Sequence, residues 1–85
     1  MSDVIATFKV MPVGVEVDLD RLENKIKEAL DPQRIEREPI AFGIVALKVI
    51  LLIDDSEGQL ESVENELRKI EDVSDVEVTS VTRSI

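Results

Sequence analysis

Residues 44–53 carry one charged side chain, Lys48, among nine apolar ones. No other stretch restricts the fold as tightly. A bilayer-spanning helix needs about 20 apolar residues, so this run is too short to cross a membrane. Its richness in Val, Ile and Leu reads as a strand, covered fully on one face and partly on the other. Alternation puts Val45, Leu47, Val49, Leu51 and Ile53 on a wholly apolar side, the floor of a core. Ile44, Ala46, Lys48, Ile50 and Leu52 take the other side, greasy for a face turned to water.

The other elements follow in order. Residues 3–11 alternate, with Val4, Ala6, Phe8 and Val10 on one side, which predicts a first strand ended by Pro12 and Gly14, with Phe8 in the core. Asp18 is a fitting N-cap for a helix whose Leu19, Leu22, Ile26, Ala29 and Leu30 recur at helical spacing. Asp31-Pro32 stops it, because proline disfavours helical backbone in the residue before it. Residues 34–40 form a short charged strand, and that charge, together with Pro39, suits a sheet edge. Ala41-Phe-Gly43 is a tight connection into the central strand. After Asp54-Asp55, Ser56 and Gln59 have the spacing of a capping box, and Leu60, Val63, Leu67 and Ile70 mark a second helix ended by Glu71-Asp72. A last strand covers residues 73–83, with Val76 and Val78 on one side and Glu77, Thr79, Val81 and Arg83 on the other.

That order is β-α-β-β-α-β. It predicts an α+β, ferredoxin-like sandwich with two helices on one face of a four-stranded antiparallel sheet. The 85 residues are read as a single domain, 1–85. The fold alone assigns no activity.

The chemistry the chain can do is narrowed by what it lacks. It has no cysteine and no histidine, so disulfides, thiolate metal sites, the commonest metal ligand and the usual general base are all missing. The serines therefore have no activating partner of the usual kind, and the three glycines form no phosphate cradle. Asp54-Asp55 lacks the further oxygen ligands of a dedicated Ca²⁺ or Mg²⁺ site. No cofactor and no metal are expected. A net charge of −9 disfavours nucleic acid as a direct partner. Ile5, Thr7, Lys9, Ile44, Ala46 and Lys48 on the open face offer bases no aromatic platform. The amino terminus lacks the features of a secretory signal, so the expected location is cytoplasmic. A protein that works by surface contact remains.

Phe8-Lys-Val-Met-Pro12, Glu38-Pro-Ile-Ala-Phe-Gly43 and the apolar strand ending in Asp54-Asp55 supply the next step. With these elements the chain resembles the archaeal beta subunits of translation elongation factor one, and is similar to the carboxy-terminal exchange domain of the eukaryotic counterparts. The resemblance covers essentially all 85 residues. It implies a guanine-nucleotide exchange factor, not an enzyme. Such a factor would dock on the GDP-bound alpha-subunit GTPase that carries tRNA, disturb its Mg²⁺ and phosphate site, and let GDP leave. It also implies that Phe42 is the aromatic contact residue, with Pro39, Ile40 and Gly43 around it. The alternative for Phe42 is a side chain folded back over the core edge. The eukaryotic pattern places a lysine near the carboxyl terminus, directed at the partner's Mg²⁺ site, whereas here the residues are Thr82-Arg-Ser-Ile85. Arg83 either takes that role, or the archaeal type does without it and Arg83 decorates an edge or pairs with a neighbouring carboxylate. The free protein is expected to be a monomer without direct contact to nucleic acid or membrane. A ligand-sensing or structural ferredoxin-like interaction module is the alternative function.

Overall fold

The structure, a computed structural model, describes residues 3–54 and 58–84. The elements run β1 (Asp3–Pro12), α1 (Leu19–Leu30), β2 (Arg34–Ala41), β3 (Ile44–Asp54), α2 (Gln59–Arg68) and β4 (Val73–Ser84). All strand pairs are antiparallel, in the order β2-β3-β1-β4, so β1 and the apolar β3 are central and the charged β2 is an edge. This is the ferredoxin-like arrangement.

The core follows from alternation. Val4, Ala6, Phe8 and Val10 of β1 meet Leu47, Val49 and Leu51 of β3, and the helices close over them with Leu22, Ile26, Val63 and Leu67. Phe8 is fully buried, and so is Ala46, although it belongs to the open-face row. A methyl side chain between two flanking strands is hidden by its neighbours without being in the core. Val45, conversely, is only half-buried.

Asp18 caps α1 as its position suggests, its Oδ1 accepting from the Arg21 N–H at 3.3 Å. At the other end Asp31 leaves helical backbone for the left-handed region, at φ 48°, rather than for an extended one. Its N–H still donates to the Lys27 carbonyl at 3.0 Å, the bond of a left-handed cap. Helix α2 ends at Arg68, before Ile70 and Glu71-Asp72. The chain then turns through bonds from the Ile70 N–H to the Leu67 carbonyl (3.2 Å) and from the Val73 N–H to the Ile70 carbonyl (3.3 Å), and Ile70 still packs on the core. Gly58 stands at the N-cap of α2, and Ser56 of the anticipated capping box lies outside the described residues.

One expectation fails for a clear reason. The β1–β4 register shifts between Thr7 and Phe8: Phe8 faces Val78, but Thr7 faces Ser80, leaving Thr79 as an extra residue. A one-residue bulge inverts the alternation beyond it. Val81 and Arg83 therefore stand opposite Ala6 and Val4, on the helix-covered side of the sheet, not on the side of Glu77.

Candidate partner-binding site

The β2–β3 hairpin builds one end of the molecule. Pro39 pairs with Val45 and Ala41 with Ile44, so Ile40 is left over as a bulge. Phe42 and Gly43 are the two residues of the turn, at φ 55° and 80°. Positive φ at both positions is the signature of a type I′ connection, whose twist matches that of the strands it joins. Glycine takes such backbone freely, whereas phenylalanine pays about 1 kcal/mol for it. The strained residue is also 96% exposed, so the reading of Phe42 as a lid over the core edge is excluded. The chain's two aromatic residues have opposite environments: Phe8 fills the core and Phe42 projects into water.

The surroundings of Phe42 are apolar as well. Ile40 is 42% exposed, and in the β1–α1 loop Val13 and Val15 are 57% and 61% exposed. That loop lies against the turn, for a Cβ placed on Gly43 would be 3.5 Å from Val15 Cγ1. The loop's base is fixed by the Val13 N–H, which donates to the Asp72 carbonyl at 2.9 Å, and by the Ser74 hydroxyl, which donates to the Pro12 carbonyl at 3.1 Å. In the sequence Val13 and Val15 belong to the short connection 13–17 and carry no motif. Two valines flanking a glycine were the only signal, and nothing in their spacing told exposure from burial.

Arg83 lies elsewhere. It is exposed in β4 opposite Val4, at the end of the sheet where Asp3 faces Asp54. The neighbouring Val4, Ile53, Leu60 and Val81 line a shallow depression of about 270 Å³ beside the start of α2. From Ile44 to Ile53 the sheet advances about 30 Å, at about 3.3 Å per residue. The structure thus brings Pro39, Ile40, Phe42 and Gly43 together and sets Arg83 at the diagonally opposite corner.

Charge is arranged mainly for structure. On the edge strand, Arg37 donates to Glu23 Oε2 at 2.7 Å and to Asp20 Oδ1, tying β2 to α1. These two bonds, that to Glu23 first, hold the guanidinium still more firmly protonated than an ordinary arginine. Across the open face a row Glu36–Lys48–Lys9–Glu77 runs over all four strands, so the two central lysines lie side by side between flanking carboxylates. Among the described residues, no group of three or more acidic, histidine or cysteine side chains could hold a metal ion, and Asp55 lies outside them. No helix among them is long and apolar enough to cross a membrane. Among the described residues the geometry contains an anchor-like apolar end and no catalytic constellation.

Comparison with known proteins gives this geometry a context. Residues 5–83 match the family described as the EF-1 guanine nucleotide exchange domain. The chain is 46% identical over 86 residues to elongation factor 1-beta of Methanosphaera stadtmanae, covering 98% of each sequence. It is 47% identical over 87 residues to that of Methanothermobacter thermautotrophicus, again with 98% of each covered. With that of Thermococcus gammatolerans it shares 48% over 90 residues, covering 98% of this chain and 99% of the relative.

Proposed function

The chain belongs to the EF-1 guanine nucleotide exchange family, and from that premise we propose how it promotes exchange of GDP for GTP on the tRNA-carrying elongation factor's alpha-subunit GTPase. Residues 1–85 act as one exchange domain. It meets the GDP-bound partner as a monomer in the cytoplasm. No bond is made or broken by the exchange factor itself, so it needs neither nucleophile nor general base. What it must supply is differential affinity: tighter binding to the GTPase without nucleotide than with it.

One observation carries the assignment of the docking end. Phe42 is held 96% exposed on a strained turn, an arrangement that costs the isolated fold and stabilises nothing within it. A rigid aromatic projecting from a two-residue turn suits a pocket on a partner, and buried aromatics of this kind dominate many interfaces. Pro39, Ile40 and Gly43 shape its base. Pro39 leaves the edge strand without an amide for strand pairing, and Gly43 completes the turn.

Arg83, at the far corner, takes the second role. GDP and Mg²⁺ hold each other in the partner through opposite charge, so a factor that weakens the ion's hold also weakens the nucleotide's. A guanidinium brought near that site offsets the phosphate charge as the ion leaves. The about 30 Å between the two ends then separates anchoring from release. Release of mant-GDP from the purified GTPase, measured against exchange-factor concentration, tests the assignment. Phe42→Ala should raise the half-saturating concentration, and Arg83→Ala should lower the saturated rate. If neither variant changes either quantity, the assigned ends are wrong.

A further inference from the structure

The apolar side chains left in water are not spread evenly. Among the described residues, the large exposed ones are Val13, Val15, Ile40, Phe42, Leu52 and Val81. Four of these six belong to the hairpin turn and the loop beside it. A chain with 34% charged residues has ample means to keep such a corner polar, yet Val13, Gly14 and Val15 carry no charge themselves, and the nearest carboxylate, that of Glu16, folds over Gly14 between the two valines. Scattered exposed hydrophobics are ordinary, whereas a contiguous group marks a contact surface.

We propose that Val13 and Val15 of the β1–α1 loop form, with Phe42 and Ile40, an apolar surface, bordered by the Glu16 carboxylate over Gly14, that the elongation GTPase covers on docking. The inference rests on the function proposed above and extends the anchor from one residue to two chain segments. Three features support the GTPase as the occupant. Exchange on that GTPase is the activity of the family, so the chain must present it a surface. Val15 adjoins the assigned anchor, its Cγ1 3.5 Å from where a Cβ on Gly43 would stand, and Val13 lies two residues before it in the same loop. The loop is also fixed from below by the bonds of Val13 and Ser74, so its valines are presented with little ordering left to be done on binding. The matching partner feature is an apolar groove wide enough for an aromatic ring with two branched aliphatic side chains beside it, with a polar margin to meet the Glu16 carboxylate. Phe42 gives the depth of contact and the valines give its breadth, excluding water from around the ring.

The test is the concentration dependence of mant-GDP release from the GTPase, using the full chain. Val13→Ser combined with Val15→Ser should raise the half-saturating concentration about tenfold, from the loss of two buried valine contacts, with the saturated rate unchanged. Leu52→Ser, an exposed apolar residue on the open sheet face, should leave both quantities as in the wild type. Circular dichroism of each variant should report the wild-type fold, because both valines lie mostly in water. An unchanged half-saturating concentration for the valine variant, alongside a raised one for Phe42→Ala, would overturn this inference and leave the proposed function standing. An equal rise with Leu52→Ser would overturn it too, by showing that the effect is not local. If the wild type sediments as a dimer that the valine substitutions separate, a second copy covers the surface and the GTPase does not. A wild-type protein that fails to accelerate release at any concentration would instead sink the function on which the inference rests.

Discussion

Phe42 and Arg83 stand at opposite ends and on opposite edges of the same sheet. Phe42 leads out of edge strand β2 into the hairpin turn, while Arg83 lies in edge strand β4 opposite Val4. The described residues extend 41 × 21 × 17 Å, and the two residues lie toward opposite ends of the sheet. A partner that feels both must embrace the long axis, and the contributions of the two residues should separate in kinetics.

Phe42→Ala should leave the isolated fold almost as stable as the wild type, since the removed ring touches mainly solvent. Exchange at limiting concentration should fall about 30-fold, the effect of an anchor worth about 2 kcal/mol. Phe8→Ala is the contrast: burial of that ring is complete, and its loss should cost about 3–5 kcal/mol of stability. Urea unfolding of both variants decides the matter. A Phe42→Ala variant as unstable as Phe8→Ala would contradict the placement of Phe42.

Phe42→Asn sharpens the same point. Asparagine followed by glycine is a preferred pair for a type I′ turn and tolerates left-handed backbone. This substitution should stabilise the fold by about 0.5–1 kcal/mol while lowering exchange at least as much as alanine does. Stability and activity moving in opposite directions would identify the turn as strained for contact. Loss of stability would show that phenylalanine is at ease there.

Much of this architecture was readable in the residues. The apolar run of β3 and the alternation around Phe8 located the core, and Asp18 and Asp31 marked the ends of α1 within a residue. The bulge at Thr79 was not readable, because one extra residue leaves no trace in composition, and it moved Val81 and Arg83 to the other side of the sheet. Pattern placed Phe42 in a tight connection, but only the backbone angles showed that its turn drives the ring outward. The packing of Val15 against Gly43 joins residues far apart in sequence, and no local pattern encodes such a contact.

Arg37 offers a structural prediction. Replacing it with methionine should loosen α1 from β2, seen as faster hydrogen exchange at the exposed end of α1, and should lower Tm by less than Phe8→Ala does. High salt should shrink the difference from wild type, since the pairs with Glu23 and Asp20 are partly exposed. The guanidinium's pKa is raised by those bonds, so its contribution is complete below the ordinary arginine range and is lost only as the pH rises beyond it. The stability difference between variant and wild type should therefore stay flat, as far as Arg37 is concerned, across neutral pH.

For the far corner, excess Mg²⁺ should oppose the wild-type protein, and Arg83→Ala should slow saturated exchange with the fold intact. Exchange measured across a Mg²⁺ titration checks both. Identical curves for the two proteins would remove Arg83 from the mechanism. Curves independent of Mg²⁺ would mean that GDP leaves because the nucleotide-binding loops are distorted directly.

The central claim is that this chain accelerates nucleotide release from the elongation GTPase by contact alone. The most direct measurement is the rate of mant-GDP dissociation from the purified alpha-subunit GTPase, chased with excess GTP, with and without the protein. The account predicts a rate that climbs with exchange-factor concentration and saturates while the protein itself is unchanged. Equal rates with and without it, at concentrations where the two proteins are seen to bind, would contradict the account.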